Sequence, residues 1–328
     1  MNIGIIGYQN HAAKIIKLIS NYEKINKIVI FCHKKKLIKQ LNSNSKKNII
    51  YTNNLNDLIY IDAVFISSPN DTHFQYIKFF LKYKIYIFCE KPPCINLKQT
   101  NYLKNLSTYD KSRIYFNYIF FNSKFKKILI KEFKKRNVGK PIHISINISH
   151  GIAFSKKFIK WRKNQKNIFD NIVANLGIHY LELLIFLYGD LKEIQFNYRC
   201  VANKNIYDTG IINCSFNKNI TSSIFLSYAS LYNKTIEFQY TNAKILYKNN
   251  NLHFFYPRDT FNKRGNYCEP KVKKLKIFKG DMHLELMKDS IDFFLNSINN
   301  KKLFFNLFNY SIDICNIFLK ENKNFIKI

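Results

Sequence analysis

What most constrains this chain is a rhythm in its first 120 residues, where short β-branched runs alternate with amphipathic stretches. Strand-like runs fall at Asn2–Ile6, Lys27–Phe31, Asn48–Tyr51, Ala63–Ser67, Ile85–Cys89 and Ile114–Asn117, with helical spacing near 11–20, 34–42, 70–82 and 97–107. That alternation predicts βαβ units and a doubly wound parallel sheet of Rossmann type. Beyond residue 120 the rhythm changes. A Lys-rich amphipathic helix (124–135) and a strand-like run (142–149) precede an apolar helix around 173–187. Runs at 193–201, 210–216, 221–228, 234–240, 243–247 and 252–256 then predict a largely antiparallel sheet, and the chain turns helical again near 283–298 and 308–320. The polar tracts 262–265 and 271–276 read as exposed loops. The expected fold is α/β: a Rossmann domain over 1–118, then an α+β domain over 119–328.

Composition removes several classes. With 328 residues, 47% of them hydrophobic, the chain is too long and too apolar for a disordered tail or a disulfide-stapled scaffold. Its seven cysteines are far apart and form no CxxC pair, so neither a zinc site nor a disulfide framework is expected, and a reducing cytoplasmic setting is the default. No apolar run approaches the roughly 18 residues of a membrane helix. The net charge of +32 would ordinarily suggest nucleic acid. However, 47 of the 53 cations are Lys and only six are Arg, they are scattered through every segment, and Ala occurs eight times while Asn, Ile, Phe and Tyr abound. An AT-rich coding bias accounts for that pattern, leaving attraction for small anionic ligands as the residual inference.

At the nucleotide end, β-like Ile3–Ile6 runs into Gly7-Tyr8-Gln9-Asn10-His11-Ala12. This is the place of a Rossmann Gly-rich turn, with only its first glycine kept and Ala12 at the third position. Gly7 can supply the tight turn, and the helix start beyond can offer N–H groups to a pyrophosphate. Gln9 puts a side chain where close phosphate approach wants bare backbone. The same residues also suit an ordinary strand-to-helix turn. After the second strand the chain reads Cys32-His33-Lys34-Lys35-Lys36, with no acid for ribose hydroxyls. Cations there suit a 2′-phosphate, which opens NADP beside NAD as the cofactor, or equally a solvated helix start.

Two further segments carry a resemblance. Asp62-Ala63-Val64-Phe65-Ile66-Ser67-Ser68-Pro69-Asn70-Asp71-Thr72-His73 and Phe88-Cys89-Glu90-Lys91-Pro92-Pro93 together resemble the Gfo/Idh/MocA oxidoreductases, over nearly the whole chain. The resemblance implies a Rossmann domain followed by a domain with an open, mainly antiparallel sheet. It places Ser68, Pro69, Asn70 and His73 near the cofactor, and makes Glu90-Lys91-Pro92 the family's EKP motif, with Lys91 in the active site. Asn175-Leu176-Gly177-Ile178-His179-Tyr180-Leu181-Glu182 is similar to the family's DxGxHxxD helix, with Asn in place of the first Asp and Glu in place of the last. Asn175 and His179 are four apart and so share a helix face. Asn-x-Gly-x-His with a nearby Trp161-Arg162 resembles the UDP-N-acetylglucosamine-type sugar 3-dehydrogenases; loss of the acid by decay is the other reading of Asn175. Ser223–Ser227 and Asp281–Glu285 add shorter similarities, and Asn117-Tyr118 resembles an NYR element with Ile119 in place of Arg.

The resemblance implies NAD(P)-dependent oxidation of a secondary hydroxyl, C3 of a nucleotide-activated N-acetylated sugar, in surface-polysaccharide or glycan synthesis. Lys91, His179 and Asn175 would act catalytically. Gly7, Gln9, Asn10, His11, His33, Ser68, Pro69, Asn70, His73, Glu90 and Lys91 would hold the cofactor, and Asn117, Trp161, Arg162, Asn175 and His179 the substrate. No metal, membrane or nucleic-acid partner is expected, and a homo-oligomer, dimer or tetramer, is. Another sugar or cyclitol dehydrogenase, or a non-catalytic dinucleotide or sugar sensor, stands as the alternative.

Overall fold

The computed structural model describes residues 1–8, 11–33, 48–135, 138–156, 158, 165, 167–256, 261–298 and 301–321. Its first sheet contains β1 (Asn2–Ile6), β2 (Lys27–Phe31), β3 (Ile49–Thr52), β4 (Ala63–Ile66), β5 (Tyr86–Glu90) and β6 (Ile114–Asn117). The order is β3-β2-β1-β4-β5-β6 and every pairing is parallel. Helices α1 (His11–Ile19), α2 (His73–Leu81), α3 (Leu97–Lys104) and α4 (Thr108–Lys111) lie between strands in the chain. The expected helix at 34–42 lies outside the described residues. All four residues of β4 are buried, because a parallel sheet covered on both faces demands a continuous apolar run rather than alternation. Asn96 and Ser107 start α3 and α4 by accepting from the backbone N–H groups of Gln99 and Asp110. Since β2 and β4 flank β1 on opposite sides, the winding reverses beside β1, and the carboxyl ends of β1 and β4 form the switch point where such sheets bind ligands.

The second sheet follows α5 (Lys124–Lys135) and is built from β7 (Pro141–Ser149), then, after α6 (Ile172–Tyr188), from β8 (Leu191–Arg199), β9 (Thr209–Phe216), β10 (Ile220–Ser227), β11 (Asn233–Tyr240), β12 (Ala243–Lys248), β13 (Asn251–Phe255) and β14 (Val272–Lys276). Its order is β14-β13-β12-β11-β7-β10-β9-β8, antiparallel except where β7 meets β10. Alternation sorts its faces: Ile144, Ile146 and Ile148 of β7 are buried in register with Ile224 and Leu226 of β10 and with Ile236 and Phe238 of β11. α6 lies close over that face. A Cβ on Gly177 would come within 2.6 Å of the Ile212 side chain and 3.1 Å of Leu226, so the helix needs a residue without one here.

One expectation fails at the sheet's edge. Residues 271–276, read as a loop, contain β14, paired antiparallel to β13. Lys273, Lys274 and Lys276 hide the alternation, because an edge strand exposed on both faces needs no apolar side and is protected by charge.

The last elements are α7 (Met282–Ser297) and α8 (Lys301–Glu321), the latter starting seven residues before the apolar pattern that begins near 308. The chain divides into two compact units, 1–118 with 290–328, and 119–289. Residues 290–328, read from their place in the sequence as part of the second domain, group with the first. In that unit Phe294 contacts Phe65 and Phe88, Phe308 lies against Phe116, and the Tyr118 hydroxyl donates to the Ser311 carbonyl at 2.9 Å. Each ring so buried contributes roughly 1.5–3 kcal/mol. All seven cysteines are free. No helix among the described residues is long and apolar enough to cross a membrane.

Candidate functional site

In the first unit the residues singled out from sequence cluster at the carboxyl ends of β1, β4, β5 and β6. Gly7 leaves β1 with φ +109°, and a Cβ there would fall 2.8 Å from the Ser67 carbonyl oxygen. Only glycine turns the chain at this point, so bare backbone faces the switch point ahead of α1. Across the same edge, Asn70–Thr72 form a single 3-10 turn leading into α2, in which the Thr72 hydroxyl donates to Ser68 Oγ at 2.6 Å and the Pro69 carbonyl at 2.7 Å. His73 is buried with Nδ1 2.9 Å from the Pro92 carbonyl and Nε2 2.9 Å from the Ser68 carbonyl. It ties the loop after β4 to the loop after β5. Burial lowers its pKa despite those two carbonyls, so a neutral ring with one N–H stands between two acceptors.

Glu90 ends β5 and is 8% exposed. Its Oε1 accepts from His11 Nε2 at 2.7 Å and from Asn117 Nδ2 at 2.7 Å. Burial alone would raise this carboxyl's pKa; the His11 charge, the His11 and Asn117 hydrogen bonds and the Lys91 charge outweigh it and bring the group down to about 2. Asn117 in turn accepts from the Ser290 hydroxyl at 2.6 Å, and Ser290 meets the Tyr115 hydroxyl at 2.9 Å. The result is a polar chain from the first residue of α1 through β5 and β6 to α7. Lys91 sits half-buried in the bend directly after Glu90, with a cis peptide to Pro92. Asn117, assigned to the substrate from sequence, is wholly buried and serves this chain. His33 is exposed, 3.1 Å from the Tyr76 hydroxyl, with its ring edge-on to Phe31. Gln9, Asn10 and Lys34–Lys36 lie outside the described residues.

In the second unit, α6 carries the other group. Asn171 caps it by accepting from the Ala174 N–H at 2.9 Å. One turn on, Asn175 Nδ2 donates to the Tyr228 hydroxyl at 3.0 Å, and a further turn places His179, 6% exposed. Tyr228, just past β10, sets its ring at a tilt to His150 and edge-on to Phe158. Sequence reasoning missed Tyr228 and His150; their signal was position alone, each following a strand that ends on Ser. Glu182 is fully buried, its carboxyl raised well above the ordinary range by desolvation, against the pull of Lys126 and a Phe120 backbone hydrogen bond. Lys126, on the Lys-rich amphipathic α5, is itself buried, pushed down to about 8 by desolvation against the pull of Glu182, and lies over the rings of Phe186 and Phe121. Burial drives both partners toward their neutral forms. Trp161 and Arg162 lie outside the described residues. Among the described residues no group of three or more His, Cys, Asp or Glu could hold a metal ion.

A parallel sheet with a bare glycine turn at its switch point, joined to an antiparallel sheet carrying a His-bearing helix, defines a class of dinucleotide-dependent oxidoreductase. Comparison with known proteins narrows the class. The model of the oxidoreductase family with an NAD-binding Rossmann fold matches residues 1–118, and that of the GFO/IDH/MocA C-terminal domain matches 131–246. The chain belongs to the Gfo/Idh/MocA oxidoreductase family. Solved structures similar to it include UDP-N-acetylglucosamine 3-dehydrogenase GnnA from Acidithiobacillus ferrooxidans, at 14% identity and TM-score 0.75, covering 98% of this chain and 96% of that one. KijD10, a 3-ketoreductase from Actinomadura kijaniata in complex with NADP and TDP-benzene, is similar at 12% identity and TM-score 0.78, covering 99% and 97%. The myo-inositol 2-dehydrogenase from Lactobacillus plantarum is similar at 14% identity and TM-score 0.77, again over 99% and 97%. At such identities the likeness speaks for the fold. Among curated proteins, the uncharacterized oxidoreductase YgjR of Escherichia coli (strain K12) is 49% identical over 41 residues, 12% of this chain and 12% of that protein.

Proposed function

We propose that the protein is an NAD(P)-dependent dehydrogenase that oxidises a secondary hydroxyl of a sugar, with C3 of a nucleotide-activated N-acetylated sugar as the leading substrate. The observation that carries this reading is the cluster at the carboxyl end of the first sheet: a glycine turn with no room for a side chain, and Lys91 directly after an ionised, buried Glu90. Gly7, Ser68, Pro69 and Asn70 would hold a dinucleotide there, His73 would fix the loop that carries Ser68, and His11, through Glu90, would fix the start of α1. When bound, the nicotinamide supplies the hydride chemistry. His179 is assigned the hydroxyl proton, imidazole being the side chain suited to general acid–base work at neutral pH. Lys91 is assigned the charge that develops on the substrate oxygen. Asn175 cannot take a proton; its hydrogen bond to Tyr228 makes it an orienting group. Between Phe31 and Asp57 the chain has no acid to hold a ribose 2′-hydroxyl, so NADP stands beside NAD.

The test is a titration of the purified full-length protein with NAD(H) and NADP(H), followed by UDP-N-acetylated sugars, free sugars and cyclitols. Turnover with UDP-N-acetylated sugars supports the reading; turnover confined to free sugars or cyclitols moves the assignment to another sugar dehydrogenase. Cofactor binding with no turnover on the whole panel makes the protein a sensor. Synthesis of a surface glycan would follow from a 3-keto nucleotide sugar as product, and self-association is checked by sedimentation of the same sample.

A further inference from the structure

The second unit contains a polar pocket of about 110 Å³ that none of the roles above uses. Tyr232, Lys234, Tyr247, Asn250, Asp281 and Met282 line it. Register places it beside α6. Lys234 pairs with Ile148, Ile148 pairs with Leu226, and Leu226 lies under Gly177, midway between Asn175 and His179. Directly opposed residues share a face, so Lys234 belongs to the face that α6 covers. Tyr180, next in sequence to His179, feels both Tyr232 and Tyr247 electrostatically.

Most of the pocket's internal polarity is spent. The Tyr247 hydroxyl donates to Asn250 Oδ1 at 3.1 Å, and Asn250 Nδ2 donates to the Gly280 carbonyl at 2.8 Å. One Asp281 oxygen accepts from the Leu284 N–H at 3.0 Å, capping α7. Two charges keep capacity. Lys234 is half-buried and makes no hydrogen bond, and no ion pair within 4 Å, among the described residues, although the Asp281 charge pulls on it. Burial lowers its pKa, and its neighbour His150 is lowered by burial and by Lys234. An ammonium half out of water without a partner is unfavourable unless a ligand completes it. A donor cation and an acceptor anion on one wall do not select an anion; they suit groups that accept and donate at once. At about 30 Å³ per water the volume corresponds to roughly four water positions, room for the hydroxyl-bearing edge of one sugar ring and too small for a nucleotide as well. Tyr232, 70% exposed, adds an apolar ring face.

We infer that this pocket holds the hydroxyls of a neutral sugar ring away from its reacting carbon, with Lys234 donating to one and Asp281 accepting from another. The inference rests on the sugar reading above and makes these two residues determinants of which ring is accepted. Full-length wild type, Lys234→Met and Asp281→Asn are compared by steady-state kinetics on UDP-N-acetylglucosamine and N-acetylglucosamine, and by calorimetric titration with both in the presence of cofactor. Methionine keeps the length of Lys234 and asparagine still caps α7, so both variants should melt as wild type does. Expected is a rise of about tenfold or more in KM for each variant, with kcat held within about threefold, by the same factor for both sugars. Unchanged KM in both variants overturns the inference and leaves the dehydrogenase reading intact. A rise confined to the UDP-bearing sugar also overturns it, showing an anion site at Lys234. Sugar binding by wild type that both variants lose, without turnover in any of them, supports the inference and removes the dehydrogenase reading. Absence of both binding and turnover in wild type overturns both.

Discussion

Glu90 of the first unit and Glu182 of the second are both buried, yet their pKa values move in opposite directions. Glu90 closes a parallel strand among donors, with His11, Asn117 and Lys91 around it, and its pKa is brought down to about 2. Glu182 lies inside an apolar helix, where desolvation outweighs the pull of Lys126 and a Phe120 backbone hydrogen bond, and is driven toward its protonated form. Equal chemistry and similar depth thus give opposite charge states, because donors converge at the ends of parallel strands whereas the helix-covered face of the second sheet is apolar. A charge adjacent to Lys91 is kept; one near His179 is suppressed.

The largest expected effect lies where that difference meets chemistry. Lys91→Ala and His179→Ala should each lower turnover by roughly 10²-fold or more with folding intact by circular dichroism, and near-wild-type rates in either would remove that residue from the reaction. Next comes stability. Glu90→Gln should cost about 1–3 kcal/mol in denaturant unfolding, since it removes the charge that His11 faces, while Glu182→Gln, close to the protonated acid in shape and charge, should change stability by under about 1 kcal/mol. Equal losses would erase the contrast.

The pH profiles sharpen it further. Glu90's folded pKa is depressed, so its contribution is present above the ordinary range of about 4.3 and is lost as pH falls toward 2; Glu90→Gln should flatten the acid limb there. Glu182's folded pKa is raised, so the unfolded chain releases its proton first and stability declines as pH climbs above about 4.3; Glu182→Gln should remove that decline. The smallest effect is Lys126→Met, expected within about 1 kcal/mol of wild type because a buried charge near a protonated acid gains little.

The first sheet was legible because a parallel strand buried on both faces writes itself as an unbroken apolar run: Ala63–Ile66 could be read as little else. Gly7 was legible for a related reason, since the end of such a run marks the switch-point edge, whereas Glu90-Lys91 was picked out by its resemblance to the family's EKP motif. The partners of Glu90 were not. His11 and Asn117 are 79 and 27 residues away, and no local period records a hydrogen bond across strands. Lys126 was not singled out, because in so lysine-rich a chain a buried lysine looks like its solvated neighbours. Val272–Lys276 misled because a charged edge strand carries a loop's composition. The helix of Asn175 and His179 was found, but Tyr228, which holds Asn175, lay 53 residues on in the chain.

The grouping of residues 290–328 with 1–118 has a consequence for biosynthesis. A ribosome releases β1 to β6 long before it reaches Phe294, Phe308 and Ser311, so the nascent nucleotide sheet waits, with Phe65, Phe116 and Tyr118 lacking their cover, while 171 residues of the intervening unit are translated. Vectorial, one-after-the-other maturation is therefore closed to this molecule: its earliest-made half is the last to be finished.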